Sequence, residues 1–165
     1  MDVINPQGMH CNPVFENFPN NAVVENAIKM CKCGIKRCQA FGGIGEILYL
    51  FGKRIGISNK KATTTTKSLM TLHGCCIIFS PKYFEQYDGF YPNTYLYGEE
   101  IILSYLCNRK KLLVKYIDET SIIHNESKGT KFEYNNLIKR HLFYYTNLLK
   151  STLELKKLIE MYESY

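Results

Sequence analysis

The run Tyr95-Leu96-Tyr97-Gly98-Glu99-Glu100 sets two adjacent carboxylates at the start of an amphipathic pattern, and a histidine, His124, closes a short apolar run downstream. A carboxylate within hydrogen-bond reach of a hydroxyl can take its proton as a general base, and an imidazole at a sheet rim can hold a metal ion or orient a ligand. The pair falls where a helix should begin, facing the positive end of the helix dipole and the free N–H groups of the first turn. Both carboxylates are therefore expected to stay ionised, as a base must. Each feature alone also has a plainer reading: a Glu-Glu pair is a favourable helix terminus, and a lone histidine after an apolar strand is more often structural.

The elements around these residues are legible from local pattern. Residues 72–79, Leu-His-Gly-Cys-Cys-Ile-Ile-Phe, form an apolar run of strand length, and Ser80-Pro81 follows as an N-cap with proline in the first turn of a short helix over 81–87. Asp88-Gly89 supplies a turn before Phe90 and Tyr91. Gly98 permits close backbone approach, and the helix after it carries Ile101, Leu103, Leu106 and Cys107. Residues 112–117 read as a buried strand, Asp118-Glu119 as a turn, and 121–124 as a short strand that presents His124 at a sheet rim.

Taken in order, Gly74-Cys75-Cys76-Ile77-Ile78-Phe79-Ser80-Pro81, Tyr87-Asp88-Gly89-Phe90, Tyr97-Gly98-Glu99-Glu100 with Leu103, and His124 resemble the C-terminal half of a family 2 glycosyltransferase. The nearest members would be those that build capsular, O-antigen and other cell-wall polysaccharides. The resemblance is close over residues 72–130 and looser elsewhere. It implies an α/β chain: the C-terminal half of a GT-A fold, with a short mixed sheet packed by amphipathic helices. It also implies inverting transfer of a sugar from a nucleotide-diphosphate donor to a glycan or lipid-linked acceptor.

Position by position, Glu100 resembles the catalytic base, and Glu99 would bond the acceptor or hold the loop. His124 resembles the ligand of a diphosphate-bound Mg²⁺ or Mn²⁺ ion, His73 and Gly74 the lining of the donor-sugar pocket, and Tyr97 the aromatic near the acceptor, with Gly98 beside it. Two departures stand out: glutamate replaces the usual aspartate at 100, and Ile102 replaces a common acid, while Arg109 stands in for the basic residue that usually follows in this helix. The larger departure is that the aspartates, Asp2, Asp88 and Asp118, form no Asp-x-Asp metal motif, and no βαβ alternation opens the chain. Residues 1–19, with the turn Asn5-Pro6-Gln7-Gly8, resemble instead the segment that follows the metal motif. The expectation is a single partial domain, with a basic helical region over 1–70, the catalytic motif region over 71–130 and C-terminal helices over 131–165. Such a chain should be inactive without a separate nucleotide-binding half.

At 165 residues the chain can bury a core, and its content of Tyr, Phe, Ile and Leu argues against disorder. Residues 1–10 lack the basic start and apolar centre of a signal peptide, and no apolar run reaches the roughly 18 residues of a membrane span. A cytoplasmic location is expected, with peripheral contact at the inner face of the membrane left open. The seven cysteines do not form metal-site pairs: Val24, Ile28, Cys31, Ile35 and Cys38 recur as one apolar helical stripe, and Cys75 and Cys76 fall in the expected buried strand.

The net charge of +6 is concentrated in one segment. From residue 28 to 67 the basic residues are Lys29, Lys32, Lys36, Arg37, Lys53, Arg54, Lys60, Lys61 and Lys67, against one acid, Glu46. Interleaved with Phe41, Ile44, Ile47, Leu48, Tyr49, Leu50 and Phe51, they fit either an interfacial helix on anionic lipid or a solvated basic face. A nucleic-acid partner is disfavoured, because no recognisable module is present. Thr63 to Thr66 reads as a polar connector, and residues 131–165 as two helices or one bent helix. The competing class is a non-catalytic interaction module that pairs with the missing half or with itself.

Overall fold

The computed structural model describes residues 1–14, 20–54, 71–125 and 133–163. Lys60, Lys61, Lys67 and the connector Thr63 to Thr66 lie outside the described residues. In chain order the elements are β1 (Asp2–Ile4), α1 (Asn21–Gln39), a 3-10 turn (Ala40–Gly43), α2 (Ile44–Arg54), α3 (Pro81–Phe84), α4 (Glu99–Arg109), β2 (Ser121–Ile123) and α5 (Leu137–Glu163).

Helix α1 starts at Asn20, whose side-chain oxygen accepts the Val23 N–H at 3.0 Å, and it ends with Lys36 and Arg37 complementing the negative pole of its dipole. Most of the expected stripe is buried: Val24, Ile28, Cys31 and Cys38 are, Ile35 is half-buried, and Gly34 joins the buried face. Helix α5 lies along it. A Cβ on Gly34 would come within 2.6 Å of the Tyr145 ring, so glycine there sets how closely the two helices approach. The choice left open for the C-terminal segment resolves as one 27-residue helix, in keeping with the absence of glycine and proline from its sequence.

The core joins three helices. Val24 and Ile28 of α1, Ile102 and Leu106 of α4, and Leu155 and Ile159 of α5 form one buried cluster. Ile102 is fully buried, which accounts for an apolar residue where the resemblance expected an acid. A second cluster, Tyr83 with Leu103 and Cys107, sits on the other side of α4 beneath Phe79 and Val114.

The chain is helix-dominated with a small two-stranded parallel sheet. β1 pairs with β2 in the register Asp2 to Ser121, Val3 to Ile122 and Ile4 to Ile123. The turn after β1 falls at Asn5-Pro6-Gln7-Gly8, where the Asn5 side chain accepts the Gln7 and Met9 N–H groups and Gly8 takes φ +79°.

Two expected strands are absent among the described residues, and the sheet is parallel rather than mixed. Residues 72–79 are irregular, with a turn at Gly74. The His73 N–H bonds to Asn12 Oδ1 at 2.6 Å and the Cys75 N–H to His73 Nδ1 at 3.2 Å, so side chains take the place of a ladder there. Cys75 is consequently exposed, not buried. Residues 112–117 form no strand: Leu112, Val114 and Tyr116 are half-buried while Leu113 is 84% exposed, so alternate side chains pack and meet solvent. The short helix is one turn long, ending at Phe84 instead of Tyr87, and the Tyr83 hydroxyl reaches forward to the Gly89 carbonyl at 2.7 Å.

Candidate functional site

The junction ahead of α4 is built on strained backbone. Leu96, Tyr97 and Gly98 take φ values of +49°, +62° and +88° in succession, a left-handed run that costs a non-glycine residue about 1–2 kcal/mol. Gly98 also sits close to α5, where a Cβ would crowd Ser151 Cβ at 3.2 Å. Glu99 stabilises this turn by accepting the Leu96 N–H at 2.8 Å. Of the two roles expected for it, holding the loop is the one its geometry serves.

The electrostatics of Glu99 differ from the helix-terminus expectation. Burial pushes its carboxyl above the ordinary value, the Leu96 N–H draws it part of the way back, and the neighbouring Glu100 charge adds to the rise. Desolvation outweighs the favourable position at the start of the helix.

Glu100 points elsewhere. Its Oε2 lies 3.5 Å from where a Cβ would stand on Gly74, so the carboxylate reaches the turn between His73 and Cys75. It lines two clefts. The larger, about 470 Å³, runs past Leu72, Cys76 and Phe79, and the smaller, about 260 Å³, past Tyr97, Gly98, Tyr144 and Ser151. Among the described residues Glu100 is the one common to both linings. Ser151 is 1% exposed, and its hydroxyl oxygen has no hydrogen-bond partner among the described residues, leaving a buried polar atom beside the smaller cleft.

His124 follows β2 as expected, with its N–H bonded to the Ile4 carbonyl at 2.8 Å. Its ring meets that of His73 edge to face, with centroids 5.1 Å apart. His73, Cys75 and His124 offer ligand atoms that all lie within 4.8 Å of one another. Two imidazoles and a thiol are a poor match for Mg²⁺, which takes oxygen ligands, or for Mn²⁺, which prefers carboxylate, carbonyl and water.

The structure thus links Glu100 to the His73-Gly74 turn and that turn to His124, with Tyr97 and Gly98 lining the smaller cleft beside Glu100, while His73, Gly74 and His124 line neither cleft. Tyr97 is half-buried, and its ring packs on Phe143 and Tyr144 of α5 at centroid distances of 6.3 and 4.8 Å. Arg109 lays its guanidinium 4.0 Å over the Tyr162 ring, away from this region's polar groups.

Sequence reasoning missed Asn12, Cys75 and Ser151. Asn12 is buried and ties the chain start to the histidine turn, through its side-chain oxygen to His73 and its amide nitrogen to the Met1 carbonyl at 2.8 Å. The His-Gly-Cys spacing was a usable signal for Cys75, but the apolar run around it pointed to a strand. Also missed was a second polar centre. Glu46 is fully buried and accepts from Arg37 Nε at 2.9 Å and the Tyr145 hydroxyl at 3.0 Å, with His141 Nδ1 at 2.8 Å. It ties α1, α2 and α5 together, so the aromatic and basic residues over 139–145 serve packing in part.

No family model, no curated protein and no solved structure matches this chain.

Proposed function

We propose that this chain is the acceptor-side half of an inverting glycosyltransferase of the GT-A, family 2 type, with Glu100 as its base. The observation that carries this reading is the placement of Glu100 between two clefts and against the Gly74 turn, whose His73 ring meets that of His124. Residues from three separate stretches of sequence are linked here, Glu100 to the Gly74 turn and His73 to His124.

In this reading the smaller cleft takes the acceptor. Tyr97 and Tyr144 give aromatic surface for the sugar, and the unpartnered Ser151 hydroxyl gives a hydrogen-bonding group for one of its hydroxyls. The larger cleft, lined by Leu72 and Cys76 on either side of the His73-Gly74-Cys75 turn in sequence, takes the donor sugar. Glu100 removes the proton of the acceptor hydroxyl as that oxygen bonds to the anomeric carbon. The bond from that carbon to the nucleotide diphosphate breaks on the opposite face, and the configuration inverts. Glu99 holds the loop that positions Tyr97.

The nucleotide-binding half is supplied from outside these residues, since the sequence holds no Asp-x-Asp motif. Joined to such a half, the chain should transfer sugar from a nucleotide-diphosphate donor, and Glu100→Gln should abolish transfer while donor binding persists.

A peripheral membrane contact belongs to the same proposal. Phe41 is 89% exposed, and Ile44, Leu48 and Phe51 behind it are 56%, 66% and 63% exposed. Exposed Lys29, Lys32 and Lys36 stand on neighbouring α1. Apolar side chains with cations nearby suit an anionic bilayer, where a lipid-linked acceptor would reside. No helix among the described residues is long and apolar enough to cross a membrane. The same face favours the non-catalytic alternative, an interaction module that self-associates, and vesicle binding separates the two.

A further inference from the structure

We infer that His73, Cys75 and His124 form a binding site for Zn²⁺. The three come from two distant stretches of the chain, and their ligand atoms already lie within 4.8 Å of one another. Zn²⁺ takes thiolate sulfur at about 2.3 Å and imidazole nitrogen at about 2.0 Å, so one sulfur and two nitrogens in a tetrahedral site sit about 3.3–3.5 Å apart. Closing the remaining distance needs a movement of about 1 Å, well within what an exposed turn can supply.

The surroundings hold the ligands near this geometry before any ion arrives. His124 is fixed at the end of β2 by its N–H bond to Ile4, and the His73 backbone is held by Asn12. Cys75 follows His73 after a single glycine, and its own N–H rests on His73 Nδ1 at 3.2 Å, which folds the turn back on the ring. An ion taking that nitrogen's lone pair replaces the N–H at the same position. Cys75 is exposed, so the site has an entry path. Binding displaces the thiol proton to solvent and forms the sulfur–zinc bond, leaving the zinc charge offset by one thiolate.

Three protein ligands leave a fourth position for water. Occupation of the site joins the Gly74 turn, which Glu100 reaches, to the end of β2. The site shares His73 and His124 with the proposed transfer site but stands on donor chemistry alone, without requiring transfer.

The test uses the full chain, reduced and titrated with Co²⁺ as a spectroscopic substitute for Zn²⁺. One equivalent should produce a thiolate-to-cobalt charge-transfer band and the intense visible bands of tetrahedral Co²⁺. Stoichiometric Zn²⁺ should displace both, and excess Mg²⁺ should not. Cys75→Ser should remove the charge-transfer band, and His124→Ala should weaken binding by about tenfold or more, with circular dichroism confirming that each variant folds. Cys33→Ser, on the exposed side of α1, should leave the band intact, as should Glu100→Gln, which removes the proposed base. Absence of a saturable band, or a band that survives Cys75→Ser, would overturn the site. Retention of the band in Glu100→Gln separates its fate from that of the transfer reading.

Discussion

Glu100 reaches Gly74 from the first turn of α4, its Oε2 3.5 Å from the point where a Cβ on that glycine would sit. The contact joins the carboxylate pair to the histidine turn and leaves Glu100 as the wall between two clefts. A base that deprotonates an acceptor while the donor sugar waits on its other side needs such a position.

The left-handed run before α4 stores strain that substitution can release. Leu96 is 40% exposed, so Leu96→Gly removes little packing while relieving a φ of +49°. The variant should be more stable by about 1 kcal/mol in urea unfolding. A loss of stability would mean that the Leu96 side chain, and not its backbone, governs the turn.

Glu46 should make the helical packing acid-sensitive. Burial pushes its carboxyl up, but the bonds from Arg37, His141 and Tyr145 outweigh this and hold it below the usual range. A depressed carboxylate contributes stability above its unfolded pKa of about 4.3, and that contribution is lost as pH falls through the folded value. Glu46→Gln should therefore cost about 3 kcal/mol at neutral pH, with the gap from the wild type closing below about pH 4. Thermal unfolding across pH reads both effects, and a gap independent of pH would refute the assignment.

The α1–α5 approach depends on Gly34. The Tyr145 ring that a Cβ would strike is also tied to Glu46, so it cannot swing away without breaking that bond. Gly34→Ala should cost about 1–3 kcal/mol despite the better helix propensity of alanine, and should perturb the tyrosine near-UV dichroism. A stabilised variant would show that the two helices are free to separate.

The exposed face at Phe41 and Leu48 should bind vesicles containing anionic lipid, and binding should weaken in high salt. Phe41→Ser and Leu48→Ser should each reduce partitioning by about tenfold or more. Dimerisation without vesicle binding, lost in the same variants, would favour the interaction module instead.

Periodicity made the helices legible, whereas the strands near the site required knowledge of what they would pair with. Val24, Ile28, Cys31 and Cys38 mark the buried stripe of α1 because a helix satisfies its own backbone, and its neighbours only cover one face. Gly98-Glu99 marked the start of α4, and the short strand before His124 was correctly expected. Residues 72–79 misled because an apolar run signals burial rather than hydrogen bonding, and Asn12, far away in sequence, takes the His73 N–H. The nearness of Cys75 to His124 was hidden for the same reason. Glu46 stood out in sequence only as an isolated acid, since its partners lie on the next helix back and on the C-terminal one.

The base assignment is tested most directly by joining the chain to an Asp-x-Asp-bearing nucleotide-binding half and comparing sugar transfer by the wild type and Glu100→Gln. Transfer by the wild type, with a loss of at least about a hundredfold in the variant and unchanged donor affinity, is the expected result. Equal transfer by both proteins would contradict the role of Glu100, and no transfer by either, with no binding of acceptor glycan to the chain, would contradict the glycosyltransferase reading itself.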